Sequence, residues 1–450
     1  MVETKISQNQ DLQDEKMYRI TENKSSKSAN AENTASDKWE IPSDWELEKL
    51  GDCCLIKGEY GINAAAVEYS KQLPTYLRIT DIDDEGNYTS IKEVSVDDEN
   101  SGKFILNKGD IVFARTGATV GKTYLYDIKD GVLVFAGFLI RFRTNENILL
   151  PIYLKFFSST KTYWDWVKKI SMRSGQPGIN AEEYGLLKIA LPPLPEQIAI
   201  AQLLSTWDNA ITKTQALIAQ KEQRKKWLMQ NLLTGKMRLK GFEEEWKENK
   251  LSDLFDRVTR KNTEGNTTVV TISAQRGFVR QTDFFNKNIA SEATENYFLV
   301  ERGEFCYNKS YSNGYPWGAT KRLNDFDKAV VTTLYICFGV KDKTKTNPEY
   351  FEQYFGANHL DKGLTKIAHE GGRAHGLLNV TPSDFFSLKV TIPSYEEQTA
   401  IAQVLKAADK EIQLLKMKCG KLKEQKKGLM QVLLTGKKRL DLKDIYNEEN

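Results

Sequence analysis

The side chains best suited to chemistry in this sequence are arginines, lysines and amides in predicted loops. Such groups read the base edges of duplex DNA, with Arg or Lys at guanine and Asn or Gln at adenine. In the first half of the chain the candidates are Arg115, Thr116, Lys122, Arg173, Ser174 and Gln176. In the second half the candidates are Arg276, Arg280, Lys309, Tyr311, Asn313, Arg373 and His375. Each could equally be an ordinary solvated side chain, so these DNA contacts are predicted from position and residue type alone.

No catalytic motif accompanies these residues in the sequence. The three histidines, His359, His369 and His375, all lie in the second half. GATVGKT (117–123) resembles a phosphate loop, but it has one residue too few before its second glycine and is followed by a predicted strand. NPEY (347–350) resembles an element of amino-group DNA methyltransferases, yet the first half has LPIY at the matching place. A proline that opens a helix explains both segments, and the chain is predicted to bind a partner rather than to catalyse a reaction.

Composition favours a globular cytoplasmic protein with a modest basic excess. The five cysteines form no C-x-x-C pair, so neither a disulfide framework nor a zinc site is expected. No apolar run reaches the roughly 18 residues of a membrane span, and the N-terminus has no apolar signal core. The net charge is +3, but residues 1–38 contribute −1 and residues 441–450 contribute −3, which leaves +7 on the remainder. This excess permits a polyanionic partner, and neither a metal nor a cofactor is expected on this chain.

An internal repeat positions these candidate residues. Residues 196–239 and 397–440 align without a gap at an offset of 201 residues, with identities concentrated at their two ends. The segments WELEKLGD (45–52) and WKENKLSD (246–253) align at the same offset. The repeated unit therefore includes a globular domain before each terminal segment.

Each terminal segment has the periodicity of a long helix. Its apolar positions alternate in steps of three and four, as in the seam of a coiled coil. The predicted seam residues are Ile200, Leu204, Trp207, Ile211, Ile218, Leu228, Ile401, Leu405, Ile412, Leu415, Leu422 and Leu429. Pro195 predicts the first start, the Thr-Gly pairs at 234–235 and 435–436 predict the ends, and each helix would span about 55 Å. The helices are predicted to pack as an antiparallel two-helix coiled coil, although two separate helices, each on its own domain, would fit the same periodicity.

The predicted fold class is α+β, with two pseudo-repeated mixed α/β domains separated by the antiparallel coiled coil. The predicted segments are a disordered arm (1–38), domain one (39–193), a spacer helix (194–239), domain two (240–393), a second spacer helix (394–440) and an acidic tail (441–450). This order of domain, helix, domain and helix follows directly from the repeat.

The two domains keep matching landmarks despite their divergence. Residues 106–116 and 300–310 each predict a Gly-Asp or Gly-Glu turn followed by an alternating strand. Residues 135–142 and 331–338 each predict a second buried strand. Pro151 and Pro348 each predict the start of a helix. Asn180 with Glu183, and Thr381 with Asp384, have the spacing of a helix-capping box.

These segments resemble the specificity (S) subunit of type I restriction-modification systems over about residues 39–440. The most telling segments are LPPLPEQIAIAQLL, IPSYEEQTAIAQVL, the two LLTGK ends and RSGQPGIN (173–180). The resemblance implies a sequence-specific DNA-binding subunit whose two target-recognition domains read a bipartite asymmetric site. It implies that the helices act as spacer and as docking surface for two modification (methyltransferase) subunits, which restriction subunits join. S-adenosylmethionine, ATP and magnesium would belong to those partners, so this chain would not be catalytic by itself.

A non-enzymatic scaffold remains the alternative interpretation. In that case the helices would organise partner proteins and the globular domains would bind peptides. Divergence is concentrated in the domains while the helix ends stay alike, as expected if the domains choose different DNA targets. Binding of a mixed DNA pool, with and without a methyltransferase subunit, distinguishes the two hypotheses.

Overall fold

The structure is a computed structural model that describes residues 41–89, 91–172, 176–282, 294–368 and 378–440. The predicted arm and acidic tail lie outside these ranges. The described chain has the predicted order, with a mixed α/β domain before each of two long helices. Within these ranges, no helix combines the length and the apolar character that a membrane crossing requires.

The first domain is built on two four-stranded sheets. Its strands are β1 (Glu46–Lys49), β2 (Cys54–Tyr60), β3 (Ala66–Glu68), β4 (Thr75–Leu77), β5 (Val94–Val96), β6 (Asp110–Ala114), β7 (Thr123–Leu125), β8 (Leu133–Phe135), β9 (Leu139–Thr144) and β10 (Lys188–Leu191). One sheet has the order β2-β9-β6-β7, the other has the order β3-β5-β4-β8, and β1 pairs with β10. The first sheet carries the strand end at Arg115.

Strand β6 is buried along its whole length instead of alternating between buried and exposed positions. Ile111 and Phe113 pack in the core that contains the domain's helices, whereas Val112 and Ala114 pack in the core shared with the second sheet. The predicted alternation is therefore wrong, because both faces of this sheet are covered.

The prediction of one strand over residues 135–142 is also wrong. β8 ends at Phe135 in one sheet, and β9 begins at Leu139 in the other. Between them the chain turns, since Leu139 N donates to Ala136 O (2.8 Å) and Gly137 N donates to Ile62 O (2.8 Å). Because apolar residues continue from β8 through the turn into β9, the apolar pattern gives no sign of the turn.

Helices α1 (Pro151–Phe157), α2 (Lys161–Ser171) and α3 (Ala181–Gly185) complete the first domain, and the long α4 (Leu194–Leu232) follows it. Pro151 begins α1 as predicted. The capping box at α3 is also confirmed: the side chain of Asn180 accepts from Glu183 N, and that of Glu183 accepts from Asn180 N, both at 2.8 Å. These residues fix where α1 and α3 begin.

The second domain repeats the first sheet and replaces the second. Its strands are β11 (Lys247–Lys250), β12 (Phe255–Val258), β13 (Val270–Ser273), β14 (Gly277–Arg280), β15 (Phe298–Glu301), β16 (Phe305–Asn308), β17 (Ala319–Arg322), β18 (Lys328–Val331), β19 (Ile336–Val340) and β20 (Lys389–Ile392). The sheet order β12-β19-β16-β17 matches β2-β9-β6-β7 strand for strand. The pairs β13-β14 and β15-β18 stand in place of the other four-stranded sheet. As in the first domain, the predicted single strand over 331–338 is divided, since β18 ends at Val331.

Helices α5 (Leu251–Leu254), α6 (Pro348–Gly356), α7 (Asp361–Ile367) and α8 (Pro382–Ser387) belong to this domain, and α9 (Tyr395–Leu433) follows it. Pro348 begins α6 as predicted. Thr381 caps α8, because its hydroxyl oxygen accepts from Asp384 N (3.2 Å). In the return bond, the Asp384 carboxylate accepts from the Thr381 hydroxyl (2.6 Å) in place of the Thr381 backbone N of a capping box. The second predicted box is thus present in part.

The acidic residue of each predicted Gly-Asp or Gly-Glu turn fastens that turn. Asp110 accepts from Asn107 N (2.8 Å), and Glu304 accepts from Glu301 N (2.7 Å). The preceding Gly109 has a φ of +86°, a conformation that glycine adopts without strain. The same local chemistry therefore starts β6 and β16.

The two long helices run antiparallel and contact each other. Lys225 Nζ lies 2.6 Å from Asp409 Oδ1, and Lys426 Nζ lies 2.6 Å from Asp208 Oδ1. The two pairs are equivalent under the repeat, because Lys426 lies 201 positions after Lys225 and Asp208 lies 201 positions before Asp409. The helix pair therefore has approximate two-fold symmetry. Each helix has 39 residues, or about 58 Å, and a glycine with a φ of about +70° follows three residues after its last residue.

The predicted seam residues face the partner helix or a domain core. All of them are buried or half-buried. Among the remaining residues of α4 between Ile211 and Leu228, Thr214, Lys221 and Lys225 are half-buried and the rest are exposed. The two lysines on the seam have partners, since Lys221 Nζ lies 2.6 Å from Glu411 Oε1 and Lys225 pairs with Asp409.

The domains lie at opposite ends of the helix pair. The first-domain core includes Ile200 from the start of α4 and Met430 from the end of α9. The second-domain core includes Leu232 from the end of α4 and Ile401 from the start of α9. Each fully buried Leu or Ile stabilises such a junction by roughly 1.5–3 kcal/mol, so each domain is fixed to both helices.

His359 links the second domain to the end of α4 and should make the stability depend on pH. Burial lowers the pKa of His359, although a hydrogen bond to the backbone of Met229 opposes this effect. The imidazole Nε2 is buried and has no hydrogen-bond partner among the described residues. Because the folded pKa lies below the unfolded value of about 6.5, folding favours the neutral ring. This stabilisation is complete above pH 6.5 and is lost as the pH falls toward the folded pKa.

We therefore expect the free energy of unfolding to fall as the pH drops below about 6.5. In the His359→Phe variant, part of this slope should disappear. Urea unfolding at pH 7.5, 6.5 and 5.5 checks the prediction. Equal slopes in the native chain and the variant would contradict it.

Candidate nucleic-acid interface

Arg115 is held at the end of β6 by three neighbouring segments. Its backbone N donates to Phe138 O (3.0 Å), and its backbone O accepts from Ile179 N (2.9 Å). The guanidinium lies 4.7 Å from the centre of the Tyr60 ring, a cation–π distance. Tyr60 is fixed in turn, because its hydroxyl accepts from Ala181 N (3.1 Å). The half-buried arginine is therefore oriented before any ligand binds.

Thr116 and Gln176, which were predicted as contacts from separate loops, lie together. Thr116 forms an antiparallel bridge with Gly178, and Gly117 N donates to Pro177 O (3.0 Å). A Cβ atom at Gly117 would lie only 3.0 Å from Gln176 Nε2. The strand end and the 176–179 segment thus form one surface. The predicted contacts Arg173 and Ser174 lie outside the described residues.

Lys122 is already engaged by the protein. Its Nζ lies 2.6 Å from Asp84 Oδ1 and donates to Ile82 O (3.4 Å). The ammonium lowers the pKa of Asp84 below its usual range. A contact between Lys122 and DNA stays a prediction, but it would have to share or break this ion pair.

Lys309 occupies the place of Arg115 in the second domain. Its backbone O accepts from Leu378 N (3.0 Å), as that of Arg115 accepts from Ile179 N. Its Nζ also donates to Val380 O (3.5 Å). In both domains the strand end is joined to the segment that leads into the capped short helix. The predicted contacts Arg373 and His375 lie outside the described residues.

Tyr311 and Asn313 project from the loop that follows Lys309. Tyr311 is 66% exposed, and Asn313 is exposed in the turn formed by residues 312–315. Within this turn Tyr315 N donates to Ser312 O (2.8 Å). The turn is held against the connection between α6 and α7, because the Asn358 side chain donates to Gly314 O (3.2 Å).

Arg276 and Arg280 lie on the β13–β14 hairpin and are both exposed. The Asn308 side chain donates to Ile272 O (3.3 Å), which places the tip of the hairpin, with Arg276, beside the end of β16. Arg280 pairs with Val270 at the other end of the hairpin, and its guanidinium lies 5.4 Å from the Phe326 ring centre. The structure thus brings Arg276 toward Lys309 and leaves Arg280 apart.

Sequence reasoning missed the residues that orient these cations. Tyr60 lies 55 positions from Arg115 and reaches it only through the pairing of β2 with β9, so no local pattern could reveal it. Asp84 reaches Lys122 through a loop in the same way. Across the described ranges, no three His, Cys, Asp or Glu side chains cluster as metal ligands would. The cations, amides and hydroxyls of this surface are suited to hydrogen bonding with phosphates and base edges.

The profile of a protein family described as type I restriction modification DNA specificity domain matches the chain twice. The matched residues are 42–222 and 243–424, whose starts lie 201 positions apart, as in the internal repeat. Together they cover most of the chain, and each match contains one domain and most of the following helix.

Two proteins of Methanocaldococcus jannaschii are similar over nearly their full lengths. The putative type I restriction enzyme MjaX specificity subunit is 29% identical over 89% of this chain and 95% of its own length. The type I restriction enzyme MjaVIII specificity subunit is 23% identical over 89% of this chain and 94% of its own length. The crystal structure of a type I restriction-modification system S subunit from M. genitalium has a TM-score of 0.51. It is 13% identical to this chain, and the alignment covers 88% of this chain and 96% of that one, which indicates a shared fold.

Proposed function

Because the chain belongs to the type I restriction-modification DNA specificity family, we propose that it reads a bipartite, asymmetric DNA site. One part would be read by each domain, at the surfaces of Arg115 and Lys309. The observation that carries this proposal is the placement of two unlike domains at opposite ends of a nearly two-fold symmetric helix pair. Paired modules on duplex DNA meet half-sites spaced along one face, and unlike modules require unlike half-sites.

The helix pair would act as a coiled-coil spacer that sets the gap between the half-sites. Its length of about 58 Å exceeds one turn of duplex DNA, about 34–36 Å. The cross-helix ion pairs and the junctions at both ends would resist sliding of one helix along the other, which keeps this length fixed.

We further propose that two modification (methyltransferase) subunits dock on the helices and that restriction subunits join through them. This chain would then supply sequence recognition without being catalytic by itself. S-adenosylmethionine, ATP and magnesium would be bound by the partner subunits, and the complex would act in the cytoplasm. The exposed faces of both helices through the middle of the pair support a docking role.

Arg115→Ala tests the proposed interface. In gel-shift titrations with the modification subunit present, we expect about 5- to 150-fold weaker binding of a target site, the range for loss of one good base contact. If the contact is to phosphate instead, binding should weaken on all sequences, and the slope of log affinity against log salt should shrink by about 1. Lys309→Ala should act alike on the other half-site.

Lys389→Ala is the matched control, since Lys389 is 60% exposed in its side chain, lies on β20 and pairs with Glu248 away from these surfaces. It should leave the affinity and its salt slope unchanged. If Arg115→Ala and Lys309→Ala behave as this control does, neither residue touches DNA.

A further inference from the structure

Each domain exposes a large apolar side chain beside its strand-end cation. Phe138 is 57% exposed in the first domain, and Leu334 is 55% exposed in the second. Single exposed apolar residues are common on proteins. The matched position of these two, in domains whose sequences have diverged, calls for a shared explanation.

Strand register shows that the match is structural. In the first domain, β6 pairs with β9 from Asp110↔Arg143 to Ala114↔Leu139, and the next pair in this register is Arg115 with Phe138. The hydrogen bond from Arg115 N to Phe138 O (3.0 Å) confirms their proximity.

In the second domain, β16 pairs with β19 through Tyr307↔Ile336. Continuing that register by two positions places Lys309 opposite Leu334. Cross-strand partners in an antiparallel sheet point to the same face with their Cβ atoms about 4.5–5.5 Å apart. By this register, each domain has one cation and one exposed apolar residue at matching positions beyond the ends of the paired strands.

The backbone holds both apolar side chains out of the core. Phe138 ends the turn in which Leu139 N donates to Ala136 O (2.8 Å). Leu334 lies in the equivalent turn, where Leu334 N donates to Thr332 Oγ1 (3.4 Å) and Tyr335 N donates to Thr332 O (3.3 Å). The following residues, Leu139 and Tyr335, are buried. Strand alternation puts Phe138 on the face of Ile140 and Leu334 on the face of Ile336, and both faces are covered by a core further along the strands. Phe138 and Leu334 are exposed because they precede the first residue of their strands, at the uncovered edge of that face.

We propose that Phe138 and Leu334 contact the C5-methyl group of a thymine in the first and second half-site, respectively. This inference rests on the proposed DNA-reading function. The thymine methyl is the apolar group that a base edge presents in the major groove, and apolar side chains recognise it by contact. The adjacent cation meets a phosphate or a neighbouring guanine, so one pair of cross-strand residues reads two adjacent features of the duplex.

The test scans the target duplex with deoxyuridine, which pairs as thymidine does but lacks the methyl group. The complete chain is used with its modification subunit, and affinity is measured for each single replacement. For the native chain, one replacement in each half-site should weaken binding about fourfold, the effect of one buried methyl group. In Phe138→Ala this sensitivity should vanish in the first half-site only, and in Leu334→Ala it should vanish in the second only.

Ile128→Ala is the control, because Ile128 is 68% exposed on the same domain but lies outside this surface. It should keep both sensitivities. The inference is overturned if no replacement affects the native chain, or if both variants retain its pattern of sensitivities. A third outcome would also overturn it. A 2-aminopurine placed in the duplex would become more fluorescent when the native chain binds but not when the variants bind, and the variants would bind all duplexes equally weakly. The two side chains would then separate base pairs. A native complex that binds no DNA would instead refute the proposed function.

Discussion

Arg238→Ala should lower the free energy of unfolding by about 3–5 kcal/mol, the usual cost of leaving a buried charge unpaired. Arg238 Nε and Nη2 donate to the two oxygens of Glu397 at 2.6 and 2.7 Å. Glu397 is 1% exposed at the start of α9 and also accepts from Trp246 Nε1 (3.2 Å). Without the guanidinium, the Glu397 carboxylate would keep one hydrogen-bond donor among the described residues, the uncharged indole N–H of Trp246.

The first domain has the same arrangement across the chain ends. Glu196, which is 1% exposed, accepts from Arg439 at 2.6 Å on each oxygen and from Trp45 Nε1 at 3.1 Å. Arg439 also pairs with Asp44 (2.8 Å). Arg439→Ala should therefore destabilise the first-domain junction by a similar amount.

Calorimetric or urea unfolding measures these effects. Lys389→Ala, which removes an exposed ion pair, should cost less than about 1 kcal/mol. The double variant Arg238→Met with Glu397→Gln should recover part of the loss, because it removes both charges. A loss below 1 kcal/mol in Arg238→Ala would show that the buried carboxylate does not depend on this arginine.

Replacing residues 243–440 by a copy of residues 42–239 should change the DNA target from asymmetric to symmetric. The chain would then carry two copies of the first domain. The symmetric ion pairs Lys225–Asp409 and Lys426–Asp208 would become two copies of one pair. The carboxylate–arginine–tryptophan junction would likewise form at both ends. We expect an inverted repeat of the first half-site, separated by the native gap.

Selection of bound sequences from a random DNA pool, with the modification subunit present, measures this outcome. The native chain, selected in parallel, is the control and should yield two unlike half-sites. If the symmetric chain folds and selects an asymmetric site, the assignment of one domain to each half-site is wrong.

The sequence was most informative where structure depends on local chemistry. The repeat, the long helices, the prolines that open α1 and α6 and the capping box at Asn180 follow from neighbouring residues. It was less informative where long-range packing decides. The break after Phe135 lies inside a continuous apolar run, because the strands on both sides of it are buried in different sheets.

The candidate interface shows the same division. Residue types selected Thr116 and Gln176 as candidates from two separate loops, but the meeting of these two segments was not predicted. The stacking of Arg115 on Tyr60, the ion pair of Lys122 with Asp84 and the separation of Arg280 from Lys309 were not predicted either. Each of these depends on strand pairing between segments that are distant in sequence, for which a single sequence has no local signal.

The most direct test of the central claim is a genome-wide map of methylated adenines with and without this chain. Its modification subunit must be present in both cases. We expect one motif made of two unlike short sequences at a fixed gap, methylated only when the chain is present. A single continuous motif, a variable gap, or methylation that persists without the chain would contradict it.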